Sequence, residues 1–89
     1  MVRWIRKMGK SKEKILKEIE EYYGLKILEI DEQYVTIEIP EYLANKVHRP
    51  SLAGKVVFHR KGNEALPEAL YQIYSVEDCE RLAQLLNLL

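Results

Sequence analysis

The chain has only one cysteine, Cys79, so it can form neither an internal disulfide nor a multi-cysteine zinc site, and a reducing compartment is the expected setting. No uncharged apolar run approaches the ~18–20 residues of a membrane helix. The basic start, residues 1–17, lacks the long apolar segment of a secretory signal, and a cytoplasmic protein is expected. Glycine-rich phosphate loops, His-Glu-x-x-His and Cys-x-x-Cys are all missing. The two histidines, His48 and His59, are each followed by an arginine, which disfavours the imidazolium and suits neither a base nor a metal ligand. Cys79 falls on an apolar stripe, where a buried inert thiol is the ordinary outcome, although a place near a helix N-terminus can lower a thiol pKa. No catalytic residue, cofactor or metal site is expected, and the chain reads as a non-enzyme.

Net charge is also missing: 14 Lys and Arg balance 14 Asp and Glu. The zero hides four alternating blocks. Residues 1–17 carry seven cations against Glu13, a balance of +6; residues 18–45 carry one against eight acids, −7; residues 46–61 hold five cations and no acid, +5; residues 62–89 return to −4. Because fields are screened beyond roughly 8–10 Å, such segregation gives a polar surface to a chain with no net charge. Charged residues reach 31% while Asn and Gln are scarce, which follows the composition trend of hyperthermophile proteins.

Eighty-nine residues suffice for one domain, 1–89, with its own core. The spacing of Ile15, Leu16, Ile19, Tyr22 and Tyr23 predicts a helix over 11–23, capped by Ser11 and stopped by Gly24. Residues 1–10 read either as a basic arm or as an extension of that helix across Gly9. Leu25–Ile30 and Tyr34–Ile39 read as a hairpin around Asp31-Glu32-Gln33, with Leu28, Ile30, Val35, Ile37 and Ile39 on the core face and Ile27 and Glu29 on the other. Pro40 opens a short helix through Val47, and His48-Arg49-Pro50-Ser51 reads as a loop. Lys55–Lys61 alternates as a third strand and Gly62-Asn63 as a turn. Ala69–Tyr74 reads as a fourth strand, with helix as the alternative, and Ser75 caps the last helix, residues 76–88, which buries Cys79, Leu82, Ala83, Leu85, Leu86 and Leu89. The fold class is α+β, in the order α-β-β-β-(β)-α, with two helices packed on one face of an antiparallel sheet.

That order and length resemble, at the level of topology, the double-stranded-RNA-binding domain. The family has a lysine-rich start to its last helix where this chain has Glu77-Asp78-Cys79-Glu80, so none of its site residues is carried over. The function expected from the residues themselves is a small binding module, an accessory component of a nucleoprotein assembly, contacting DNA or RNA through the basic blocks 3–17 and 46–61. Its contact residues would be Arg3, Trp4, Arg6, Lys7, Lys10, Arg49, Lys55, His59, Arg60 and Lys61, since cations interleaved with an aromatic suit phosphates and stacked bases. The alternative is a protein-protein adaptor or homo-oligomer using the acidic hairpin and the leucine-rich end, Leu85, Leu86, Leu88 and Leu89.

Overall fold

The computed structural model describes residues 12–60 and 66–89. The expected contacts at Arg3, Trp4, Arg6, Lys7, Lys10 and Lys61, the Ser11 cap and the Gly62-Asn63 turn lie outside the described residues.

Helix α1 covers residues 12–18 and widens into a π turn, Ile19–Tyr23. Ile19 and Tyr23 are buried and Ile15 and Leu16 pack beside them, but Tyr22 is 66% exposed. The stripe expected to include Tyr22 is interrupted because a π turn has more residues per revolution than an α turn. Gly24 then ends the helix in the left-handed region at φ 74°, its N–H donating to the Glu20 carbonyl at 3.1 Å. A Cβ there would lie 2.7 Å from the hydroxyl of the exposed Tyr42, which donates to the Gly24 carbonyl at 3.2 Å, so a side chain at 24 would displace that hydrogen bond as well as strain the backbone.

Strands β1 (Lys26–Ile30), β2 (Tyr34–Ile39) and β3 (Gly54–His59) form one antiparallel sheet in the order β1-β2-β3. Asp31 shapes the first turn, its carboxylate accepting from the Gln33 N–H at 3.1 Å. The central strand alternates as expected: Val35, Ile37 and Ile39 are buried, with Tyr34, Thr36 and Glu38 on the other face. The expected register of β1 is wrong at one residue. Ile27, not Leu28, stands opposite Ile37, and the pairing resumes at Glu29 with Thr36 and Ile30 with Val35. Leu28 is a bulge, 40% exposed, which moves Ile27 to the core side where it packs on the buried cluster, while Ile30 keeps its partner but ends 37% exposed at the strand's tip.

Helix α2 (Glu41–Lys46) follows Pro40, and its end is closed by hydrogen bonds from His48 N–H to Asn45 and from Arg49 N–H to Ala44, both 2.9 Å. This is the Schellman pattern, with His48 at φ 60° where glycine is the usual occupant. His48→Gly is therefore expected to raise stability by about 0.5–1 kcal/mol in urea titration, and a loss would show that the imidazole has a binding role in the fold. A single 3-10 turn, Pro50–Leu52, leads into β3.

The expected fourth strand is not one. Helix α3 (Glu68–Tyr71) starts after Pro67 and turns back through Tyr74, whose N–H donates to Leu70 at 3.0 Å. Leu70, Ile73 and Tyr74 have the i, i+3, i+4 spacing of a helix, and that period outweighs the β preference of their side chains. Helix α4 (Val76–Leu88) has the predicted Ser75 cap, whose hydroxyl accepts from Asp78 N–H at 3.2 Å. Both long helices cover the same sheet face: Ile19, Tyr23, Leu82 and Leu86 share one buried cluster with Val35, Ile37 and Phe58. The Tyr23 hydroxyl donates to the Asp78 carbonyl at 3.1 Å, tying α1 to α4. Among the described residues no helix is long and apolar enough to cross a membrane.

Candidate nucleic-acid interface

Alternation along β3 sorts the expected contact residues. Lys55, Val57 and His59 are exposed on the face away from the helices, while Val56, Phe58 and Arg60 point toward the core. Arg60 is half-buried, with Nη1 enclosed and without a hydrogen-bond partner among the described residues, so it does not share the surface of Lys55 and His59. Those two are themselves separated by about 13 Å of strand, at ~3.3 Å per residue. Arg49 is exposed in the turn after α2.

Acids interleave with these cations. Across the outer face Lys26 stands opposite Glu38 and Glu38 opposite Lys55, a cross-strand row of alternating sign. His59 stands opposite Tyr34, whose hydroxyl donates to Glu29 at 3.4 Å. Glu29 first and Asp31 second raise the Tyr34 phenol pKa, which reports a negative local field at that end of the sheet. The sheet face alone is therefore a mixed surface rather than a basic one.

Uncompensated positive charge lies elsewhere. Lys12, Lys14 and Lys17 are all exposed on α1, continuing a segment, residues 1–11, that has four cations and no acid. Among the described residues the one ion pair is Arg81 with Glu18, at 2.7 Å, so none of these lysines is matched there. The described residues carry nine Lys and Arg against thirteen Asp and Glu, a balance of −4, and the N-terminal cations are thus set against an acidic body. At the C-terminal end of α1 the charge is unfavourable to the macrodipole, since the last turn holds Glu20 and Glu21 with no basic residue. Tyrosine hydroxyls take the place of cations at that end: Tyr74 donates to the Tyr23 carbonyl and Tyr42 to that of Gly24. Lys12, Lys14 and Lys17 belong to the basic block read from the sequence but were not among its named contact residues; Lys14 and Lys17 avoid the apolar stripe of Ile15, Leu16 and Ile19, whereas Lys12 is in phase with that stripe and is nonetheless exposed.

The leucine-rich end does not form the expected surface. Leu85, Leu86 and Leu89 are buried in the core and only Leu88, 66% exposed, faces solvent, because α4 turns three of the four onto the sheet. Cys79 is likewise buried, within 3.6 Å of the Leu70 carbonyl. Burial first and Asp78 second push its thiol pKa up. Among the described residues no three His, Cys, Asp or Glu side chains converge as metal ligands do. Comparison with protein-family models, curated proteins and solved structures finds no match.

Proposed function

We propose that the chain is a small non-enzymatic binding module, an accessory component of a nucleoprotein assembly, that holds nucleic acid by its phosphates through the basic segment entering α1. The supporting observation is the exposure of Lys12, Lys14 and Lys17, with no acid in an ion pair with them among the described residues. Exposed cations without an ion pair are available to a polyanion. Lys55, His59 and Arg49 add a second, weaker contact region.

Salt tests this reading. Each phosphate contact releases counterions, so a site using about five phosphates loses affinity with a log–log slope near −4.5 on duplex and about −3.5 on single strands. Alanine at Lys12, Lys14 or Lys17 is expected to flatten that slope by about one unit each and to leave sequence preference unchanged. Fluorescence titration with labelled DNA and RNA at two salt concentrations measures it. Absence of binding at low salt, or a slope indifferent to the three lysines, overturns the proposal.

A further inference from the structure

We infer that β3 is a self-pairing edge, through which a second copy of this chain adds across a two-fold axis to make one six-stranded antiparallel sheet. The argument starts from the direction of the backbone groups. Arg60 N–H donates to the Gln33 carbonyl at 2.9 Å, and the β2–β3 register continues from that pair through Phe58 with Val35 and Val56 with Ile37. In an antiparallel ladder hydrogen-bonded and non-hydrogen-bonded pairs alternate. The backbone groups of Phe58 and Val56 therefore serve β2, and those of Lys55, Val57 and His59 point the other way. No described element pairs with that side, since the sheet order ends at β3.

Three outward residues at every second position are self-complementary. A two-fold axis through Val57 sets Val57 against its own copy and Lys55 against the second copy's His59, so that every outward N–H meets a carbonyl. The side chains permit it. Val57, 42% exposed, gains an apolar neighbour; Lys55 already has Glu38 opposite it on β2, and the residue it meets is an imidazole with no required charge. The opposite edge of the sheet contrasts with this one. There β1 is broken by the Leu28 bulge, a device that spoils an edge as a template, whereas the six residues of β3 pair without irregularity.

Because Val57 N–H is directed off the sheet, Val57→Pro removes an outward donor and no bond to β2. Light scattering on the full chain, without nucleic acid, is expected to give twice the 10.5 kDa chain mass at high concentration, falling to 10.5 kDa on dilution. Val57→Pro should remain at the single-chain mass throughout, with the circular dichroism and melting transition of a folded protein. Amide exchange of the unaltered chain gives a second measure that needs no variant: the Lys55, Val57 and His59 amides should slow as concentration rises. A single-chain mass at every concentration overturns the inference. So does a doubled mass that survives in folded Val57→Pro, or exchange at those three amides that is independent of concentration.

Discussion

Phe58→Ala is expected to remove about 3–5 kcal/mol of stability, the usual cost of emptying a large aromatic site in a core. Phe58 is fully buried on β3, paired with Val35 and in the same cluster as Ile19, Leu82 and Leu86, so sheet and both long helices meet around it. Nothing nearby is positioned to fill the space, because its neighbours are held by the β2–β3 ladder on one side and by the helices on the other. A domain of this length has a net stability of only about 4–13 kcal/mol. The alanine variant should therefore be close to its unfolding midpoint in mild urea, while Phe58→Leu, which keeps most of the volume, should lose about 1–1.5 kcal/mol. Urea denaturation followed by circular dichroism decides it, and a loss under ~1 kcal/mol for alanine would show that the site relaxes freely.

Alkaline pH should unfold the protein through its buried phenols. Burial, above all, raises the pKa of Tyr74, whose hydroxyl bonds the Tyr23 carbonyl and whose ring lies edge-on to that of Tyr23 at 5.3 Å. Burial first and then Asp78 raise Tyr23 and Cys79 in the same direction. Each group holds its proton more tightly folded than unfolded, where the ordinary values are 10.0 for tyrosine and 9.0 for the thiol. Their stabilisation is complete below those values and is lost as pH rises through the higher folded ones. Stability should thus be independent of these groups below pH 9 and fall above it, by about 1.4 kcal/mol per pH unit for each proton the unfolded chain has released and the folded chain retains. The fall steepens above pH 10, where both tyrosines join the thiol. Urea midpoints measured from pH 7 to 11 test this, and Tyr74→Phe should shallow the decline; an unchanged slope in that variant would remove Tyr74 from the account.

What was legible in the sequence follows from which interactions are local. The α1 stop at Gly24, the Ser75 cap of α4 and the alternation of Tyr34–Ile39 each depend on residues within one turn or one strand, and each stands as expected. The misreadings come from tertiary context. Leu70, Ile73 and Tyr74 have aromatic and branched side chains that favour strands in isolation, but Pro67 and the core under α4 select the helical period. The widening of α1 at Ile19–Tyr23 has no signature in hydropathy, and the contact made at its end, from Tyr23 to the Asp78 carbonyl, spans fifty-five residues. Charge blocks were visible at once, yet not their partition: Arg60 turns inward, Lys55 stands opposite Glu38 in the sheet, and the lysines of α1 stay in water. The leucines at the end misled for a simpler reason, since composition counts Leu85, Leu86, Leu88 and Leu89 alike while only Leu88 faces away from the core.

Leu28 has a further meaning for how this chain can change length. With Leu28 omitted, Lys26, Ile27, Glu29 and Ile30 would face Glu38, Ile37, Thr36 and Val35 in unbroken alternation, the very partners they have now. The sheet does not count this residue. Loss of that residue leaves every inward side chain where it is, whereas the same change inside β2 would turn Val35, Ile37 or Ile39 toward solvent. Position 28 is thus a place where the hairpin tolerates the loss of one residue, and the strand beside it is not.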